Sequence, residues 1–274
     1  MRVQHVLLLL TFAGCSTDHY PSRPGGFGPP GGGPDPTDAG GSDVDSGGTP
    51  VDGGLVDASV TGDGPLRSVT GTVCRIEDLR DPTACIEQPA GVGIQVLGSD
   101  ISAVSTDCGA FELLLDGSVA NGTVHLVVGF ESADYHLSLV SITVDDTGAT
   151  GVSATAVLET TFSDLTAALG VAQPDGTGTI ALHLEEAGAP AVGSIIEPPA
   201  GSLEAPRYDT GDPLDWQPDT GTSDAGAVLV FGVAEASDAV INVAGLQGGI
   251  LTIVGIQVVG NTLTFVRATV PPPT

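Results

Sequence analysis

The chain contains no lysine. Its 274 residues carry seven basic side chains, every one an arginine, against 34 aspartates and glutamates, and the formal net charge is −27. Lysine chemistry is thereby excluded: there is no amine for a Schiff base and none for a phosphate-binding loop. Nucleic-acid binding is excluded as well, because its affinity comes largely from basic side chains set against phosphates. So negative a chain stays soluble and repels anionic surfaces, so lipid head groups are not bound through protein charge.

Aromatic residues are scarce too, at 4% with a single tryptophan, whereas glycine (40) and proline (20) are abundant. That composition suits turn-rich β modules and unstructured segments better than a large enzyme core. The metalloprotease pair H-E-x-x-H, the nucleophile elbow G-x-S-x-G, the phosphate loop and the dinucleotide fingerprint are all missing. The chain is therefore expected to be non-enzymatic, with neither cofactor nor metal. Its length allows one or two domains.

A strongly apolar run stands at the start. Met1-Arg2 is a minimal positive region, and Val3 with Val6-Leu7-Leu8-Leu9-Leu10 is too short to cross a bilayer, as in a signal peptide. It leads into Phe12-Ala13-Gly14-Cys15. This segment resembles the lipobox of bacterial lipoproteins, with Phe12 in the place of the usual Leu. The resemblance implies that residues 1–15 are a lipoprotein signal and that Cys15 is diacylated. Acyl burial is worth about 0.8 kcal/mol per CH₂, and two chains anchor stably. Ser16, where an Asp would imply inner-membrane retention, implies the outer membrane of the cell envelope.

Residues 16–66 hold fourteen Gly, eight Pro, eight Asp and one Arg, Arg23. Such a segment cannot bury enough to offset ordering, and it is expected to be a disordered acidic tether. As a flexible coil it spans roughly 40 Å. Ser42-Asp43-Val44-Asp45-Ser46-Gly47 has the aspartate spacing of a calcium loop, but it lacks the closing Glu and flanking helices.

From residue 67 the pattern changes to short alternating strands. Val69-Thr70-Gly71-Thr72-Val73, Val92 to Leu97, Ser102 to Ser105, Phe111 to Leu115, Thr123 to Val128 and His136 to Val144 are separated by turn signals. Strands at this spacing predict an antiparallel sandwich over 67–149. At its centre Ser105-Thr106-Asp107-Cys108-Gly109-Ala110-Phe111 reads as a tight turn. Asp107 is suited to bond the backbone two residues on, and Gly109 to supply a positive φ. The order Gly71-Thr72-Val73, then Pro89 to Val96, then Thr106 to Leu113 resembles carboxypeptidase regulatory-like domains. That family implies a non-catalytic, transthyretin-like (prealbumin-like) β-sandwich of about seven strands.

Cys74 and Cys85 bracket a loop, and an exported chain makes such a pair a disulfide. Cys108 could replace either partner. His125 and His136 fall on strands and read as half-buried or rim histidines.

The turn motif returns about 115 residues later as Thr222-Ser223-Asp224-Ala225-Gly226-Ala227-Val228, which predicts a second copy of the module over 178–270. Gly188-Ala189-Pro190-Ala191-Val192-Gly193 likewise echoes Gln88-Pro89-Ala90-Gly91-Val92-Gly93. Residues 150–177 form a connector whose helix starts at an N-cap Ser163, turns Leu165, Ala168 and Leu169 to one face, and ends at Gly170. The second copy carries extra length between its proline and its turn. This inserted loop holds Tyr208 and Trp216 beside Asp209, Asp212 and Asp215.

The expected architecture is all-β, with two tandem transthyretin-like antiparallel sandwiches behind a signal peptide and a tether. The expected role is that of a lipid-anchored structural, adhesion or binding protein, with a surface polysaccharide or a protein as partner. The alternative is a carbohydrate-binding module in which Tyr208 and Trp216 stack on a sugar. A solvent-facing Trp216 favours the alternative, and a buried one the first reading.

Overall fold

The computed structural model describes residues 66–218, 220–245 and 248–271. Cys15 with its lipobox, the tether up to residue 65 and the aspartate-spaced segment within it lie outside the described residues. The first half contains β1 (Arg67–Ile76), β2 (Gly93–Val96), β3 (Ser102–Val104), β4 (Ala110–Leu115), β5 (Gly122–Phe130), β6 (Tyr135–His136), β7 (Ser138–Val144) and β8 (Gly148–Leu158). Helix α1 (Glu159–Leu169) follows, then β9 (Thr177–Glu186), β10 (Ala189–Pro190), β11 (Ile195–Glu197), β12 (Arg207–Asp209) and β13 (Trp216–Gln217). The chain continues through β14 (Ala227–Ala234), β15 (Ala236–Ala244), β16 (Ile250–Val258) and β17 (Leu263–Thr269).

The fold is mostly β, arranged in three sheets. One runs β4-β1-β8-β6, and a small one runs β11-β15-β16. The largest runs β13-β12-β14-β9-β17-β7-β5-β2-β3, with β10 on β9. Most ladders are antiparallel, as the hairpin-length turns dictate. Three are parallel: β1 with β8, β17 with β9, and β17 with β7. These pairings need long crossovers, which short-range turn signals do not reveal.

Period-two alternation explains the layers. Phe111, Leu113 and Leu115 of β4 are buried while Ala110, Glu112 and Leu114 face out. A first core gathers Val69, Ile94, Leu113 and Leu126, and a second gathers Ile180, Val230, Ile241 and Val258. A third core is shared by both halves. In it Cys74, Ile76 and Val157 pack with Phe162 and Leu165 of α1 and with Leu229, Phe231 and Leu263.

The connector differs from its expectation. Residues 150–158, read as its beginning, belong to the eleven-residue strand β8, aligned with β1 from Ser68 to Ile76. Helix α1 begins at Glu159 after Leu158, and no side chain caps it. Ser163 lies within the helix, its hydroxyl donating to the Thr160 carbonyl. Phe162 and Leu165 carry the buried face, and Ala168 is exposed. Gly170 closes the helix in the left-handed conformation at φ 63°. Near the other end, β16 is one continuous strand across a glycine. Gly255 sits in it at φ 71°, its N–H donating to Asp238 Oδ1 at 3.0 Å.

The two turns share one backbone pattern. Gly109 and Gly226 adopt φ 67° and φ 65°. Gly109 N–H donates to Thr106 O at 2.7 Å, and Gly226 N–H to Ser223 O at 3.1 Å. Both glycine carbonyls then accept 2.8 Å bonds from the opening strand of their half, from Val73 N and Leu184 N. Asp107 and Asp224 are exposed, so backbone bonds hold these turns closed. The other echo is displaced. Gly91 N–H bonds Ser105 O and Gly193 N–H bonds Thr222 O, so Gly91 corresponds to Gly193, two places beyond the alignment read from sequence.

Candidate functional site

The aromatic pair nominated by sequence does not form a platform. Tyr208 is 2% exposed and Trp216 1%. They sit in adjoining strands with Asp209 opposite Trp216, yet Tyr208 belongs to the second core and Trp216 to the third. The Tyr208 hydroxyl accepts a 3.0 Å bond from Ile196 N–H, and Trp216 Nε1–H donates to Pro213 O at 2.9 Å. Neither ring offers a face to a sugar. The inserted loop is a plug, with its polar tips satisfied locally, as buried aromatics require.

Its carboxylates serve the loop and the turn. Asp215 accepts from the Thr210 hydroxyl and from Gln217 Nε2–H, and Asp212 from Leu214 N–H. Asp209 is 1% exposed and reaches across to the second turn motif. It accepts from Ser223 N–H at 3.2 Å, from the Ser223 hydroxyl and from Ala227 N–H at 3.0 Å. A buried carboxylate persists where donors replace its water in this way. Sequence reading grouped Asp209 with the loop because its partners lie far along the chain.

Cys74 and Cys85 form a disulfide with Cα atoms 5.3 Å apart. It staples the end of β1 to a loop that carries the Arg80–Asp78 ion pair. Cys108 is a half-buried thiol inside the first turn.

The three histidines among the described residues have different polar neighbours. His136 is buried and stacks on Phe162 with ring centroids 3.8 Å apart, and its Nδ1 lies 2.9 Å from Glu159 Oε2. Desolvation pushes its pKa down, against the pull of Glu159. With Nδ1–H given to Glu159, the buried Nε2 has no bonding partner. A pocket of about 400 Å³ adjoins this pair. His125 instead meets a hydroxyl, Ser141 Oγ at 2.9 Å, on an exposed stretch of sheet, and its pKa is lowered by desolvation. His183 has Nε2 3.4 Å from Leu79 O, and burial lowers its pKa too. The parts of a nucleophilic triad are thus divided: one histidine has the carboxylate and another the serine. Among the described residues no group of three or more His, Cys, Asp or Glu side chains is placed to hold a metal ion.

A further concavity lies where the halves meet. β17 pairs with β7 at only two positions, Leu263 with Ser138 and Thr264 with Leu139. Beyond them the strands part, and a cleft of about 600 Å³ opens between them. Ile253–Gln257 of β16 form one flank, and Ser153 and Thr155 of β8 another. Among the described residues of the lining, Arg267 is the one that carries a charge.

No protein-family model matches this chain, and no curated protein does. Among solved structures it is similar to a type II cohesin–X-dockerin complex from Acetivibrio cellulolyticus, at 16% identity and TM-score 0.25, over 40% of this chain and 77% of that one. It is also similar to the minor pilin GBS52 of Streptococcus agalactiae, at 11% identity and TM-score 0.24, over 76% of this chain and 97% of that one. A DUF3823 family protein from Bacteroides ovatus gives 13% identity and TM-score 0.24, over 72% and 96%. Scores of this size assign no activity to the chain.

Proposed function

We propose that this protein is a non-catalytic, lipid-anchored component of the bacterial cell envelope, held at the outer membrane through Cys15. Its β body, with carboxypeptidase regulatory-like sequence order, serves a structural or binding role at the end of an acidic tether. The observation that carries the reading is the run Phe12-Ala13-Gly14-Cys15 placed directly between an apolar signal segment and a Gly/Pro/Asp-rich stretch. Division of the serine, histidine and carboxylate among separate sites supports a role without catalysis. Burial of Tyr208 and Trp216 supports the structural reading over the sugar-stacking one.

The test is metabolic labelling with a lipid precursor followed by membrane fractionation. The chain should take up label and travel with the outer membrane, and Cys15→Ala should move it, unlabelled, to the soluble fraction. Unchanged labelling and fractionation of the variant would remove the anchor from this reading.

A further inference from the structure

We propose that the cleft between β7 and β17 is a docking site for an extended segment of a partner polypeptide, uncharged and apolar at alternate residues. The inference deepens the binding role proposed above and rests on it.

A strand that shows a cavity its face contributes every second residue, whereas one that shows its edge contributes consecutive residues. Three strands line this cleft consecutively: Val140-Ser141 of β7, Ile253 to Gln257 of β16 and Thr264 to Arg267 of β17. Each has an edge that its sheet leaves open there. β16 ends its sheet, paired only with β15, and at the end of its lining stretch Gln257 O is taken by the Thr264 hydroxyl at 3.0 Å, which leaves residues 253–256 as the open part. β7 and β17 are paired on their far sides with β5 and β9, and toward each other only at Leu263 and Thr264. Open edges present backbone N–H and C=O groups in a row, and an added strand is the ligand that satisfies such a row. Val254, 65% exposed on β16, and the half-buried Val140 and Val266 give the cleft an apolar lining for alternate residues of that strand, while Ile256 is packed into the second core.

Charge decides what the strand carries. None of the acidic side chains among the described residues lines the cleft. Arg267 is bonded to Glu185. An entering cation meets that arginine, and an entering carboxylate must compete with Glu185, so an uncharged segment fits best. The same net charge of −27 opposes a second copy of this chain as the occupant.

The probe is a displayed library of random nine-residue peptides, selected on the full chain and counter-selected on Ser153→Trp. Ser153 is exposed on β8 and lines the cleft, so the tryptophan fills the cleft without entering a core. The expected result is enrichment of peptides with alternating apolar residues and no charged ones. Their affinity should fall at least tenfold on Ser153→Trp, and equally when alternate peptide nitrogens are methylated. Three results overturn the proposal. One is no enrichment above the variant, and another is peptides that bind both chains alike or tolerate methylation throughout. The third is dimers in sedimentation that Ser153→Trp dissolves, which would give the cleft to a second copy. The Cys15 labelling result is independent of all three.

Discussion

Ser105 and Thr222 make the same pair of hydrogen bonds in the two halves of the chain. The Ser105 hydroxyl donates to Pro89 O at 2.8 Å and accepts from Val92 N–H at 3.0 Å. The Thr222 hydroxyl donates to Ala191 O and accepts from Ser194 N–H at 2.9 Å. Both residues are buried, at 4% and 3% exposure, and both tie the turn motif to a loop that holds a left-handed glycine, Gly91 or Gly193. The repeat is therefore a repeat of bonding, and it survives an exchange of Ser for Thr because either hydroxyl both donates and accepts.

Removing one of these hydroxyls strands a buried carbonyl and a buried N–H together. Ser105→Ala should cost about 1–3 kcal/mol, read as a lower urea midpoint at unchanged slope. Thr222→Ser, which keeps both bonds, should cost much less than Thr222→Val. Equal losses for the two Thr222 variants would show that packing of the side chain, not its hydroxyl, matters there.

The turn glycines give a regional prediction. A Cβ on Gly109 would lie 2.8 Å from Val73 O, and one on Gly226 would run into Leu184 O. Left-handed strain adds about 1–3 kcal/mol for a β-branched residue. Amide exchange should quicken first around Val69, Leu113 and Leu126 in Gly109→Val, and around Ile180, Val230 and Ile241 in Gly226→Val. The third core, built from both halves, should loosen in both variants. Uniform quickening throughout the chain in either one would mean that the halves do not retain separate stability.

Peptide mapping under non-reducing conditions should join Cys74 to Cys85. Reduction should destabilise the chain by about 3 kcal/mol on the chain-entropy account of a loop this short. A Cys108-containing link as the main product would contradict the observed pairing.

Acid should weaken the fold in two stages. His125, His136 and His183 have folded pKa values below their ordinary 6.5, because burial penalises the cation. Between the folded and unfolded values the unfolded chain holds protons that the folded chain lacks. Stability is thus full above about pH 7 and falls as pH drops through the histidine range. Glu159 opposes the shift at His136, as do Asp81 and Asp209 at His183, while Arg267 strengthens it there. Asp81, bonded by the Thr83 hydroxyl, has its pKa lowered, so its contribution is present above 3.8 and is lost at still lower pH. Denaturation midpoints measured from about pH 7.5 down to 5 should fall, and less steeply in His136→Gln and His183→Gln. A midpoint independent of pH over that range would mean that these imidazoles gain protons as readily folded as unfolded.

The sequence by itself determined what is local. Alternation marked most of the strands, Gly109 and Gly226 marked the turns, and the spacing of Cys74 and Cys85 marked the staple, since each depends on residues close along the chain. The repeat was legible through the motif around Asp107 and Asp224, although the second echo was misaligned by two places, because small residues carry little register information. Tertiary structure decided the rest. β8 was hidden because Gly148 and Gly151 blur its alternation, and its partner β1 pairs with it in parallel across a long crossover. Tyr208 and Trp216 stand in a loop rich in aspartate, and only packing against two different cores shows them to be buried. His136 meets Glu159 only because β6 pairs with the end of β8, just where α1 begins. The cleft belongs to neither half alone: it exists because β17 joins β7 for two residues and then diverges, a geometry of strands that lie far apart along the chain.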